Sequence, residues 1–321
     1  MATLTYYRPI VIDNYLFMSC DMLRIKFNMN EFMLNRFNRF ITTYEIMHSN
    51  VNVKKYFNIS PFKYRNLLAI SDFETKNSFS LGLVYNDLNK TTNDCFIEFN
   101  PNKCINETNT GLAQPFLDYI KQHGSHIELV RYDLAIDIPI EREFVSLDKD
   151  IRKYTKLWFT DVETNYSLIV SDMEKKQIHY KIDVKSKSLS NCTEYLGQRN
   201  KSGFVKLYNK QIESDLDKPI TRLEITLDSI SYDKFIQVLP NISIYKNVNQ
   251  SDLDSLNDTE KVLLKLLQQN SNCDLYLNQL GRKMQDKLKR ILYANDSILD
   301  KISKEDYFKL ANNILNIINK G

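Results

Sequence analysis

Histidine, tryptophan and glycine are scarce in this chain: 321 residues include four His, one Trp and seven Gly. No glycine-rich loop of the kind that cradles nucleotide phosphates is present, which argues against a doubly wound nucleotide-binding sheet. The histidines (His48, His123, His126 and His179) form no clear ligand set, and the Gly-Ser interval between His123 and His126 reads as a loop before a strand. Five cysteines (Cys20, Cys95, Cys104, Cys192 and Cys273) are odd in number and scattered, which fits reduced thiols better than a disulfide framework, and no spacing suggests a zinc knuckle. Charge of one sign is also lacking. Forty-three basic against 40 acidic residues leave a formal charge of +3, so only local clustering can argue for nucleic acid. No apolar run is long enough to span a bilayer, and polar interruptions near the start speak against a signal peptide. The expectation is a cytoplasmic protein with no membrane partner.

What is present is a 43% hydrophobic content, enough for a sizeable core. Strand-forming residues occupy Thr3 to Phe17, and Asn30 to His48 has helical character. Further strands are expected at Phe79–Tyr85, Cys95–Asn100, Ile127–Ile138, His179–Val184, Thr193–Leu196, Val205–Tyr208 and Thr221–Leu227. A helix is expected over Gly111–Gln122, with Leu112, Phe116, Leu117 and Ile120 on its apolar face. The lone Trp158 is assigned to core or apolar support rather than to base stacking. The fold class is therefore α+β, a largely antiparallel sheet with packed helices. A boundary is placed near 247–257, where Asn, Ser and Asp accumulate, dividing a core at 1–245 from a helical appendage at 246–321. In the appendage Asp258 is the expected cap of one helix. Leu280, Met284, Leu288 and Ile291 mark a second helix, and Ser303–Ile318 a third.

Chemistry enters through strand periodicity. Arg131, Asp133, Ala135 and Asp137 share one strand face; so do Arg222, Glu224 and Thr226, while Lys206 and Tyr208 share another. Carboxylates on adjacent strands suit Mg²⁺ or Mn²⁺, yet patterning alone favours Arg–Asp and Arg–Glu pairing at a sheet surface. Read in isolation, Phe204–Glu213 is an ordinary amphipathic strand followed by polar residues. Arg199 and Lys201 lie in a polar loop between Gly197 and Gly203, where backbone phosphate can approach closely. Arg282, Lys283, Lys287, Lys289 and Arg290 decorate the second tail helix, as phosphate contacts or as a solvated face.

Several ordered segments together carry a resemblance: Phe96-Ile97-Glu98-Phe99-Asn100-Pro101-Asn102-Lys103, Arg131-Tyr132-Asp133-Leu134-Ala135-Ile136-Asp137, Tyr195-Leu196-Gly197-Gln198-Arg199, Lys206-Leu207-Tyr208-Asn209-Lys210 and Arg222-Leu223-Glu224-Ile225-Thr226-Leu227. Over roughly residues 75 to 235 the chain resembles the staphylococcal-type plasmid rolling-circle replication initiators and related conjugative-element relaxases. It lacks the His-hydrophobe-His pair of another large group of rolling-circle nickases. The resemblance implies origin-specific, metal-dependent nicking of one DNA strand: Tyr208 attacks, giving a 5′-phosphotyrosyl bond and a free 3′-hydroxyl, and strand joining follows. Lys206 and Lys210 would assist the tyrosine or hold phosphate. Glu98, Asp133, Asp137, Glu213 and Glu224 would be the metal candidates, for Mg²⁺ or Mn²⁺. Arg131, Arg199, Lys201, Arg222 and the basic tail helix would contact DNA. The implied partners are a double-stranded plasmid origin with locally single-stranded DNA, a second copy of the chain and a host helicase. Two departures, Gly203 where some members have arginine and Lys206-Leu207 in place of an Arg-Ile-like pair, bear on DNA preference. A conjugative relaxase of the same chemistry and a non-catalytic DNA-binding replication-control protein are the alternative readings.

Overall fold

A computed structural model describes residues 10–12, 16–60, 64–83, 93–105, 111–142, 145–147, 156–161, 166–171, 192–197, 199, 201–240, 242–244, 253–268, 276–292 and 298–319. In chain order the elements are β1 (Ile10–Ile12), β2 (Leu16–Met29), α1 (Glu31–Met47), β3 (Val51–Ser60), β4 (Tyr64–Asp72), β5 (Ser78–Leu83), β6 (Asn93–Phe99), α2 (Pro101–Cys104), α3 (Gln114–His123) and β7 (Ser125–Ile138). There follow β8 (Val145–Leu147), β9 (Lys156–Asp161), β10 (Tyr166–Ser171), β11 (Cys192–Leu196), β12 (Val205–Asn209), α4 (Lys210–Ser214), β13 (Thr221–Leu227), α5 (Tyr232–Val238), β14 (Ile242–Ile244), α6 (Asp258–Gln268), α7 (Arg282–Leu292) and α8 (Lys304–Ile318). The expected strand at His179–Val184 lies outside the described residues.

The expected α+β class is observed. Twelve strands form one sheet in the order β10-β9-β11-β12-β13-β7-β2-β6-β5-β4-β3, with β1 added against β2. Every pairing in it is antiparallel. One face carries the core. Leu134, Ile136, Leu207, Leu223 and Ile225 on the sheet and Phe37, Phe116 and Tyr307 on the helices are all buried in one cluster. Aromatic contacts bind α1 to α3, with Phe37 and Phe40 each stacked on Tyr119 at 4.9 Å between centroids. Burying such rings is a large apolar contribution, and it fixes which face the helices cover. The opposite face bears Lys206, Tyr208, Arg222, Glu224, Asp133 and Asp137.

Local signals set several element ends. Asn30 caps α1 by accepting from the Met33 N–H, and Ser303 forms a capping box with Asp306 at the start of α8. At α6 the expected cap is corrected. Asn257, not Asp258, accepts the Glu260 N–H at 2.9 Å, while the Glu260 carboxylate accepts the Asn257 N–H at 2.9 Å. Asp258 is the first helical residue, with its side chain in solvent. Likewise α3 begins at Gln114 rather than at Gly111, whose carbonyl accepts the Gln114 N–H in a preceding turn.

The segment 246–321 divides in the structure. Leu256, Leu264, Leu267, Leu277, Leu288, Ile291 and Leu292 make a separate apolar cluster joining α6 and α7. By contrast, Tyr307, Leu310, Ala311, Ile314, Ile317 and Ile318 of α8 join the core of the sheet. Tyr307 is tied there by its hydroxyl, 2.8 Å from that of Tyr132 and accepting the Ser231 N–H at 2.8 Å.

Gly82 illustrates how closely the sheet is built. A Cβ added there would lie 2.0 Å from Cε1 of the Phe96 ring. The Arg24 guanidinium sits 4.9 Å from the centroid of the same ring. Gly82→Ala must therefore eject the ring, and a loss of about 1–3 kcal/mol is expected from such overpacking. Thermal melts of the two proteins check it; equal midpoints would show that the ring moves without cost.

Candidate active site

Strand register brings the tyrosine and an acid together. Lys206 pairs with Glu224 across β12 and β13, and Tyr208 with Arg222. On the next strand Ala135 lies opposite Glu224 and Asp137 opposite Arg222. Directly opposed residues share a face and stand about 4.5–5.5 Å apart at Cβ, so these side chains form one continuous patch. Tyr208 is 8% exposed and Glu224 6%.

The Tyr208 hydroxyl donates to Glu224 Oε1 at 2.5 Å, and Lys206 Nζ donates to Glu224 Oε2 at 2.6 Å. Lys206 and Lys210 lie 5.4 and 6.0 Å from the centroid of the Tyr208 ring. Lys210 itself is paired with Glu213 on the first turn of α4, where Asn209 caps the helix by accepting the Ile212 N–H. Burial pushes the Tyr208 phenol well above its ordinary range, and the Glu224 carboxylate adds to the shift while the Arg222 charge opposes it. Burial also raises Glu224, against the pull of Lys206. For Lys206, burial disfavours the ammonium but the Glu224 carboxylate outweighs it, leaving the pKa raised.

These directions predict an alkaline limit to stability. Tyr132, raised by burial and by Tyr307, and Tyr208 stay neutral in the fold at pH values where unfolded phenols ionise, and Lys206 stays charged longer than an unfolded lysine. A folded pKa above the unfolded one gives stability that is complete below the unfolded value and lost as pH rises beyond it. The unfolded chain releases more protons there. Melting temperatures should fall from about pH 10 upward, and Tyr132→Phe should show a shallower fall than the parent. An equal slope in the two proteins would refute the assignment for Tyr132.

The remaining acids of the patch are each held by a cation. Arg131 forks onto Asp133 at 3.1 and 2.8 Å, and Thr226 Oγ1 donates to Asp133 at 2.8 Å. Asp137 accepts Arg222 Nε and Nη2 at 2.5 and 2.8 Å. Glu98 pairs with Arg24 on β2, farther across the sheet. Five oxygen donors of this type suit a hard divalent cation in kind. Among the described residues no three or more His, Cys, Asp or Glu side chains gather as a metal group in this arrangement. Glu213 is the most solvated of the expected set, its side chain 53% exposed.

The expected DNA contacts divide in the same way. Arg199 and Lys201 are exposed in the β11–β12 connection, between Gly197 at φ 81° and Gly203 at φ 84°. Both glycines occupy the left-handed region that side chains disfavour, so each position favours glycine. On α7, Arg282, Lys283 and Arg290 are exposed and Lys289 is half-buried. Lys287 instead reaches back 2.6 Å to Glu260 and ties α7 to α6. Leu292 completes the buried stripe of α7, one residue beyond the four that periodicity marked. Sequence reasoning also missed Asp21, which accepts Arg222 Nη1 at 2.7 Å. The available signal was an acid within the apolar run Leu16–Met29.

Two curated proteins of Staphylococcus aureus, each described as a replication initiation protein, are similar to this chain. One is 24% identical over 222 residues, covering 67% of this chain and 58% of the relative. The other is 28% identical over 145 residues, covering 42% of this chain and 37% of the relative. The chain thus spans less than two thirds of the length of either protein. A solved rolling circle replication initiator protein from Geobacillus stearothermophilus aligns over 86% of this chain and 96% of that one, at 11% identity and a TM-score of 0.32, too low to establish a shared fold. No family model matches the sequence. The comparisons support distant kinship with staphylococcal replication initiators. No helix among the described residues is long and apolar enough to cross a membrane.

Proposed function

We propose that the chain is a replication initiator that nicks one strand of a plasmid origin through Tyr208. The observation that carries this reading is the Tyr208 hydroxyl held on Glu224, with Lys206 on the other carboxylate oxygen. In the proposed step the Tyr208 oxygen forms a bond to the scissile phosphorus and the bond from phosphorus to the 3′ oxygen breaks. Glu224 Oε1 takes the phenolic proton, and the departing 3′ oxygen takes one from water. A phenol pushed upward by burial needs such an acceptor at neutral pH. Glu224 is suited to the task because burial also makes its carboxylate more basic. Strand joining is the reverse: the 3′-hydroxyl attacks the phosphotyrosyl bond and the proton returns to the tyrosine oxygen. Lys206 keeps Glu224 oriented, and Lys210 stands beside the ring as a second cation.

A Mg²⁺ or Mn²⁺ requirement is proposed on the resemblance and on donor type alone. Arg199, Lys201 and the exposed cations of α7 are the proposed backbone contacts on single-stranded and duplex origin DNA. Action as a dimer and loading of a host helicase belong to the same proposal.

The test is supercoiled DNA bearing the candidate origin, incubated with Mg²⁺, with Mn²⁺ or with chelator, and probed for protein on the 5′ end. A nick with a covalent 5′ adduct mapping to Tyr208 is expected, and an origin next to transfer genes would favour the relaxase reading. Specific binding with no nick under any condition would favour the non-catalytic alternative.

A further inference from the structure

Strand β2 changes the parity of its buried positions midway. Leu16, Met18 and Cys20 are buried before the change, and Leu23, Ile25, Phe27 and Met29 after it. The partner register jumps at the same place, from Cys20 opposite Leu134 to Met22 opposite Asp133. The extra residue of this bulge is Asp21. A bulge re-aims one side chain without surrendering the core face of the strand, and here it delivers a carboxylate to the patch. The turn after β6 pins the bulge from outside: Asn100 Nδ2 donates to Asp21 Oδ1 at 3.1 Å, and Asn102 Nδ2 to the Cys20 carbonyl at 2.9 Å.

Asp21 and Asp137 grip one guanidinium from two strands. Arg222 gives Nη1 to Asp21 at 2.7 Å and Nε and Nη2 to Asp137 at 2.5 and 2.8 Å. Arg222 stands directly across from Tyr208, and its side chain is 9% exposed. A guanidinium has five N–H donors in a rigid plane, so fixing three leaves the direction of the others set. Donors already oriented at a reacting phosphate cost no reorganisation during the step. Two carboxylates outweigh the one cation at long range, so the fork is expected to act through the direction of its N–H bonds at the reacting phosphate rather than by attracting DNA.

We propose that Asp21 is a positioning residue of the tyrosine centre: with Asp137 it locks the Arg222 fork so that the remaining N–H bonds meet a nonbridging oxygen of the phosphate that Tyr208 attacks. This rests on Tyr208 being the nucleophile. The experiment is nicking of an oligonucleotide whose scissile phosphate is either normal or a methylphosphonate, in which a neutral methyl replaces one charged oxygen. On the normal substrate Asp21→Asn should lower kcat by about 10–100-fold with KM nearly unchanged. Arg222→Ala should lower it at least as far, and the double variant no further. On the methylphosphonate both single-variant deficits should shrink, because the charge that Arg222 meets is gone. Asn100→Ala, which leaves the bulge residue itself intact, should show a smaller loss of the same kind and covers the case in which Asp21→Asn folds poorly. Equal deficits on the two substrates would overturn the proposal in favour of a purely structural Asp21. Recovery by raised Mn²⁺ would overturn it in favour of a metal ligand. A covalent adduct persisting in Tyr208→Phe would instead locate the failure in the choice of nucleophile.

Discussion

Tyr208→Phe is expected to abolish the covalent protein–DNA adduct and to lower strand cleavage by on the order of 10⁴-fold or more, as loss of a nucleophile does elsewhere. The substitution removes a single oxygen. The ring is buried, with Lys206 and Lys210 near it, and keeps its packing, so the sheet should persist. What changes is Glu224, which loses the Tyr208 donor and keeps Lys206. Leaving a buried acceptor short of one partner costs about 1–3 kcal/mol, so a modestly lower melting temperature is expected beside intact DNA binding. Glu224→Gln separates the two roles of the pair. Its adduct should still form on Tyr208, but about 10²–10⁴-fold more slowly, the usual contribution of a positioned proton acceptor. An adduct in Tyr208→Phe, on Tyr195 or elsewhere, would refute the assignment.

Ending the chain at residue 245 should prevent folding of the sheet, whereas excising 253–292 and bridging the gap with a flexible linker should not. Helix α8 lies beyond that boundary in sequence but belongs to the sheet in space. Leu310, Ile314, Ile317 and Ile318 are each at most 7% exposed. Burying four such side chains contributes roughly 6–12 kcal/mol, comparable with the ~5–15 kcal/mol net stability of a whole domain. Truncation would also take the Tyr307 hydroxyl, 2.8 Å away, from the Tyr132 hydroxyl and leave it the longer 3.4 Å contact to the Ser229 carbonyl. The excised segment, by contrast, packs its leucines within a cluster of its own. Soluble protein with a cooperative melt is therefore expected only from the internal deletion. That variant should still cleave a single-stranded oligonucleotide while losing preference for the origin. A cooperative melt from residues 1–245 would show that α8 is dispensable.

The sequence by itself determined which side chains share a face and where most helices run. Lys206 with Tyr208, Arg222 with Glu224 and Asp133 with Asp137 were legible because alternation along a strand is a property of local backbone geometry. The helices that start after Asn30 and Ser303 were legible from periodicity, and in the structure each of these side chains caps its helix by reaching only three residues ahead. The tertiary structure alone decided who meets whom across that face. Tyr208 and Glu224 are 16 residues apart, Arg222 and Asp137 are 85 apart, and Arg222 and Asp21 are 201 apart. Those pairings follow from strand order, register and one bulge, none of which periodicity encodes. The same holds for Lys287, whose place in a basic run gave no hint that it holds Glu260. It holds as well for α8, whose apolar stripe announced a buried face without saying that the sheet, rather than its neighbours in sequence, would cover it. A strand or helix fixes its own face through bonds between near neighbours, but the partner that covers that face is chosen by the packing of the whole chain.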